Sequence, residues 1–184
     1  MRNKDYLFYY NKKFPNVASS VFIASGSKII GDVDIGLKSS IWFNCVIRGD
    51  VNYTRIGENT NIQDGSVIHV SSSGFSATGG NGFPTEIGNN VTIGHNATIH
   101  ACKIEDFTLI GMGSVVLDGS IVEEMGFVAA GAIVPPRTII KKNELWAGNP
   151  AKFIRNTNEK EKNLIRNTPE TYSRLRKEFL KKEF

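Results

Sequence analysis

The residues of this chain best suited to chemistry lie between positions 48 and 100. Its three histidines, His69, His95 and His100, are the only imidazoles it has. Near them stand Arg48-Gly49-Asp50 and Asn61-Ile62-Gln63-Asp64. Neutral imidazole nitrogens are the side-chain donors that borderline divalent metals take most readily. A guanidinium and carboxylates beside them suit the handling of a small anion or the holding of an ion pair. Taken singly, each histidine is more often structural than a ligand, so the elements that position them decide the matter.

Those elements repeat every six residues. Stepping by six from Val17 gives Ile23, Ile29, Ile35, Ile41 and Ile47. After three extra residues the series resumes at Ile56, Ile62 and Ile68, and after a longer excursion at Ile87, Ile93 and Ile99. One residue is then dropped, and Ile104, Ile110, Val116, Val122, Val128, Val134 and Ile140 follow. Four steps after the aliphatic a small or β-branched residue recurs, such as Ser27, Ser39, Cys45, Thr60, Ser66, Ala97 and Ser114. Six is a multiple of the strand period of two and not of the helical 3.6, so the units read as short strands. Three units make a triangular coil, and stacked coils bury one aliphatic column with backbones about 4.8 Å apart. The expected fold class is an all-β body, a parallel β-helix of hexapeptide repeats, with a C-terminal α-helix. A sandwich of irregular strands would not keep an aliphatic at every sixth residue.

Register then groups the candidate residues. If residues 70–85 leave one corner as a loop, the Ile99 unit lies directly over the Ile68 unit, and the Ile47 unit lies beneath both. Arg48, His69 and His100 form one outward column, in which two imidazoles can tilt towards one metal ion. His95 belongs to the preceding face, above Gln63 and Asp64. Outward side chains on two faces of a prism diverge, so one subunit does not bring His95 to the other pair. A neighbour packed face to face would, and repetition of that contact closes a homotrimer with three shared sites.

The segments Arg48-Gly49-Asp50, Asn61-Ile62-Gln63-Asp64, Ile68-His69, Gly94-His95-Asn96-Ala97-Thr98-Ile99-His100 and Trp146-Ala147-Gly148-Asn149-Pro150-Ala151 resemble the gamma-class carbonic anhydrase branch of the hexapeptide-repeat superfamily. The resemblance implies a left-handed β-helix and zinc, or another divalent metal such as iron or cobalt, on His69 and His100 of one subunit and His95 of the next. It implies reversible hydration of CO2 to bicarbonate by metal-bound hydroxide, since three imidazoles and an open position are the pattern of a catalytic zinc. It assigns Gln63 as hydrogen-bond partner of the metal-bound water or of CO2, with Asn61 orienting its neighbours and Tyr172 near the metal. Arg48 would hold the forming bicarbonate or lock the interface, paired with Asp50 and Asp64, which serve equally well as structural ion-pair partners. The prototype of the class has acidic proton shuttles just after the Arg-Gly-Asp segment and in the loop after the first metal histidine. Here those places hold Val51 and Val70–Pro84, with no side chain that ionises near neutrality. Slow turnover is therefore expected, and the Gly- and Ser-rich loop reads either as a lid or as a plain corner insertion.

The chain of 184 residues is 40% hydrophobic and 22% charged, the balance of a globular protein. Its net charge of +4 arises in the last segment. Residues 1–150 hold 12 Lys/Arg against 13 Asp/Glu, and residues 151–184 hold 10 against 5. That distribution describes a solvated helix face and implies no nucleic-acid partner. No apolar run suits a membrane span or a signal peptide, and two cysteines are too few for a disulfide framework. A cytoplasmic setting is expected. Cys45 is core filler, and Cys102 has no implied base to make it a nucleophile. Residues 1–16 form an N-terminal segment and 17–140 the β-helix. Residues 141–184 make a connecting segment and a helix, with Thr168 as N-cap, Pro169 in the first turn, and Tyr172, Leu175, Phe179 and Leu180 as its apolar stripe. The alternatives to an anhydrase are an acyltransferase or thioesterase acting on coenzyme A thioesters, as many hexapeptide enzymes do, and a non-catalytic trimeric scaffold stapled by metal.

Overall fold

The structure, a computed structural model, describes residues 6–74 and 80–181. Short parallel strands stack in three columns at the spacing that the six-residue period requires. Ile29, Ile47, Ile68, Ile99, Val116 and Val134 pair in register on one face. Val17, Ile35, Ile56, Ile87, Ile104, Val122 and Ile140 do so on a second. Ile23, Ile41, Ile62, Ile93, Ile110 and Val128 form the third. The first two faces merge into one 12-stranded sheet because the strands Lys28–Ile35 and Val46–Ile56 run through the corner between them. From Ile29 to Ile140 every aliphatic of the series is at most 4% exposed. At about 1.5–3 kcal/mol for each buried Ile or Val, this column is the main source of stability.

The small fifth residues face inward as the period requires, and their hydroxyls tie the coils together. Ser39 Oγ donates to the Gly57 carbonyl at 2.7 Å, Thr60 Oγ1 to Gly88 at 2.8 Å, and Ser66 Oγ to Gly94 at 2.9 Å. Each satisfies a backbone acceptor one coil away, part-buried at Gly57 and Gly88 and buried at Gly94. In most units the corner is turned by the fourth residue, which adopts the left-handed conformation, as at Asn44 (φ 60°), Gly65 (φ 72°) and Asn96 (φ 56°). Glycine and asparagine tolerate it best. At Gly65 a Cβ would also overlap the Asn96 side chain one coil above.

The solenoid extends past both ends of the aliphatic series. Leu7 pairs with Ile29, adding a strand before Val17. Beyond Ile140, Trp146 takes the next place in the third column by pairing with Val128, so the repeat does not stop there. An aromatic residue hid that rung. The strand Glu144–Gly148 then turns back as an antiparallel pair with Ala151–Asn156.

The terminal helix begins earlier than expected, spanning Glu159–Lys181, with Pro169 inside it and not at its first turn. Asn158 and Glu161 form the cap. The Glu161 amide donates to Asn158 Oδ1 at 3.0 Å, and the Asn158 amide to Glu161 Oε2 at 2.8 Å. Thr168, expected as the cap, instead donates its hydroxyl to the Leu164 carbonyl at 2.7 Å. Pro169 is tolerated because it belongs to the buried face with Ile165, Ser173 and Arg176, where packing offsets the lost backbone bond. Tyr172, Leu175 and Phe179 pack against Phe22, Ala24 and Trp42, whereas Leu180 is exposed, off the seam. The helix thereby crosses Phe22–Ile23, Ser40–Ile41, Asn61–Ile62 and Thr92–Ile93, the strands of the face that carries Gln63 and His95. Among the described residues no helix is long and apolar enough to cross a membrane.

The long excursion leaves its corner at Ser71 and returns at Phe83, where two hydrogen bonds close the base: Ser71 N to Phe83 O at 3.0 Å and Phe83 N to Ser71 Oγ at 2.9 Å. Its residues 75–79, on which the lid reading bears, lie outside the described residues.

Candidate metal centre

His69 and His100 are direct neighbours in the parallel ladder, their ring centroids 5.3 Å apart and tilted by 54°. Arg48 follows Ile47 one coil below, so the expected column is present. His95 sits on the adjacent face, just after Thr92–Ile93. Among the described residues no three His, Cys, Asp or Glu side chains of one chain converge on a point that would hold a metal ion. The histidines also lie outside two broad clefts of about 590 and 620 Å³, which are lined by other parts of the surface.

Each imidazole has one nitrogen on a carboxylate. His95 Nδ1 lies 2.8 Å from Asp64 Oδ2, and His100 Nδ1 lies 2.5 Å from Asp118 Oδ1. In both rings Nε2 keeps no protein partner among the described residues. His69 is held from its other side, with Nε2 3.0 Å from Asp50 Oδ1, and its Nδ1 keeps no protein partner among the described residues. Asp50 also pairs with Arg48 and accepts the Val51 amide at 2.8 Å. Burial pushes the Asp50 carboxyl up, but the His69, Val51 and Arg48 contacts outweigh it and hold it below the usual carboxylate range. Burial, aided by Arg48 and His100 and opposed by Asp50, pushes the His69 imidazole below its ordinary value. A neutral ring is the form that ligates a metal. Three imidazoles oriented by carboxylates thus suit a divalent cation in their donor chemistry.

Gln63 is held as an acceptor. Asn61, 1% exposed, donates Nδ2 to the Val91 carbonyl at 3.2 Å and to Thr92 Oγ1 at 2.9 Å. A carbonyl only accepts, so the orientation of the Asn61 amide is fixed and its Oδ1 must take a proton. Gln63 Nε2 supplies that proton at 3.1 Å, which turns Gln63 Oε1 away from Asn61. Tyr172 stands edge-on to Trp42, ring centroids 5.3 Å apart, and burial together with the charge of Asp64 pushes its hydroxyl above the ordinary value. The structure therefore gathers Asn61, Gln63, Asp64, His95 and Tyr172 on the helix-covered face, and Arg48, Asp50, His69 and His100 on the next. Both cysteines are buried and free, and burial pushes both thiols up, Cys45 to about 11. Asp118 was not singled out in the sequence. Its signal is an acidic residue in the unit stacked on a histidine-bearing unit that is one residue short.

With this geometry in hand, similarity to known proteins is informative. The family model described as dynactin subunit 5 matches residues 3–180. "Gamma carbonic anhydrase 1, mitochondrial" of Arabidopsis thaliana is 50% identical over 163 residues, 89% of this chain and 58% of that protein. This chain thus spans less than two thirds of that relative's length. "Carbonic anhydrase" of Geobacillus kaustophilus is 41% identical over 176 residues, 96% of this chain and 88% of its own. The crystal structure of a hexapeptide transferase family protein from Anaplasma phagocytophilum superimposes with a TM-score of 0.87 at 41% identity, covering 96% and 99% of the two chains. The solenoid is the left-handed parallel β-helix of hexapeptide-repeat proteins. The chain belongs to the sequence family of the dynactin subunit 5 model and, at the finer level its relatives define, to the gamma carbonic anhydrase family.

Proposed function

We propose that this protein is a gamma carbonic anhydrase-like enzyme that hydrates CO2 reversibly to bicarbonate at sites shared between the subunits of a homotrimer. His69 and His100 of one subunit and His95 of the next would hold a divalent ion, zinc by the resemblance. The observation that carries this reading is the pairing of every histidine with a carboxylate through one ring nitrogen, the other having no protein partner among the described residues. When bound, such an ion supplies the Lewis acidity that makes water nucleophilic at neutral pH.

The remaining side chains take roles that follow from their hydrogen bonds. Gln63 presents Oε1 as an acceptor that aligns an incoming water, its direction set by Asn61. Arg48, neutralised on one side by Asp50, keeps its exposed edge for an anionic product or for the neighbouring subunit. Asp64 orients His95, and Tyr172 closes the helix over that face. Val51 is exposed where the prototype has an acid, so proton release depends on buffer, and turnover slows in dilute buffer.

Stopped-flow CO2 hydration on zinc-loaded trimer tests the reading, with metal content measured on the same sample. Activity above buffer that rises with buffer concentration and vanishes in His95→Ala is expected. Metal-loaded protein with no such activity refutes it. Tight binding of acetyl-coenzyme A in a calorimetric titration would favour the transferase that the name of the Anaplasma protein suggests.

A further inference from the structure

The one-residue deletion in the repeat creates a contact that regular stacking would not. In the Ile99 unit the corner is turned at the third residue, Ala101 (φ 52°), whereas in the Val116 unit above it is turned a residue later, at Gly119 (φ 68°). Ile99 pairs with Val116, and the Gly119 amide donates to the Ala101 carbonyl at 2.7 Å, so the two units are fastened on both sides of the slip. Asp118 is the residue with no counterpart below. Its side chain, only 7% exposed, turns down onto His100, where Oδ1 lies 2.5 Å from Nδ1.

We propose that Asp118 is a positioning residue for His100, acting on the metal site inferred above. A carboxylate only accepts, so the Nδ1 position carries the proton and Nε2 is left as a bare lone pair. The same contact fixes the ring angle, because the acceptor sits on a corner clamped by backbone hydrogen bonds. His100 is thereby presented in one tautomer and one orientation before any ion arrives, which lowers the ordering cost of coordination. Carboxylates in this position typically contribute about ten- to a hundredfold to metal affinity.

The test uses the full-length protein with zinc as probe. Zinc affinity is measured by chelator competition for wild type, Asp118→Asn and Asp118→Ala. The tautomer of His100 is read from imidazole 15N shifts in the metal-free proteins at alkaline pH. Zinc binding about ten- to a hundredfold weaker in Asp118→Ala is expected, with a smaller loss in Asp118→Asn, whose neutral oxygen still accepts. His100 should be Nδ1-protonated in wild type and shift towards the Nε2-protonated form in Asp118→Ala, a change that loss of packing alone would not cause. If Asp118→Ala fails to fold by circular dichroism, the near-isosteric Asp118→Asn decides. Variants that match a zinc-binding wild type in affinity and tautomer overturn the role of Asp118 and leave the enzyme reading standing. A wild type that takes up no zinc overturns the metal reading itself, and this role with it.

Discussion

Replacing Gln63 with glutamate changes one donor into an acceptor and nothing else in shape. In the native arrangement Gln63 Nε2 donates to Asn61 Oδ1 at 3.1 Å, and Asn61 cannot turn over to offer its NH2 group because that group is engaged by the Val91 carbonyl and by Thr92. The ionised carboxylate of Gln63→Glu would therefore face a lone pair with a lone pair in a place only 6% exposed. Loss of the bond together with a buried acceptor left unmet costs about 1–3 kcal/mol, which is about five- to 150-fold in the folding equilibrium. A protonated carboxyl can still donate to Asn61, so folding raises the pKa of the introduced group above its unfolded value of about 4.3. The sign follows: Gln63→Glu is close to wild type below that value, and stability is lost as pH rises through the folded-state pKa. Urea midpoints of the two proteins between pH 4 and 7, at one protein concentration, measure the difference. Equal midpoints across that range would show that Asn61 does not orient Gln63, and the acceptor role of Gln63 Oε1 would fall with it.

Two further perturbations probe the framework. Ile99→Ala removes a fully buried side chain from the column between Ile68 and Val116 and should cost about 2–5 kcal/mol, read as a lowered urea midpoint, with His69 and His100 losing their common support. Asp32 binds Arg55 Nη2 at 2.7 Å and Lys13 Nζ at 3.3 Å; burial raises its carboxyl, but those cations outweigh burial and hold it below its usual value. Its contribution is present above the unfolded value near 3.9 and lost as pH falls through the lower folded one, so Asp32→Asn should flatten the acid limb of a stability profile.

The column, the faces and the stacking of His69 under His100 were legible because six residues per unit is an arithmetic rule, and counting through two insertions and one deletion preserved it. What escaped the sequence depended on exceptions to that arithmetic. Trp146 continues the column with an aromatic in place of an aliphatic. Pro169 lies mid-helix because a buried face outweighs the local rule that makes proline a helix start, and the Asn158–Glu161 cap eleven residues upstream carries the true signal. Asp118 became visible only when the slipped corner at Ala101 showed which side chain had no partner one coil below. Register is thus readable to the extent that every unit has the same length, and the long excursion and the short unit, which break that rule, fall beside His69 and His100.

The division of the three histidines between two faces makes the shared site testable without any assay of turnover. Suppose His95→Ala protomers, which keep His69 and His100, are unfolded and reassembled at equal amounts with His69→Ala protomers, which keep His95. In a closed threefold ring each mixed trimer, of either composition, contains one interface with all three ligands intact and two without. Random assembly makes about three quarters of the trimers mixed, so about a quarter of the wild-type sites should reappear and bind zinc, while each variant alone shows none. A site built within one chain gives no recovery on mixing, because no chain in the mixture has all three histidines. The faces that carry them diverge within one prism, and no such trio converges among the described residues of a single chain. Recovery is therefore the outcome the geometry requires if the histidines share an ion at all, and mixtures that stay at zero would separate His95 from the pair on the neighbouring face.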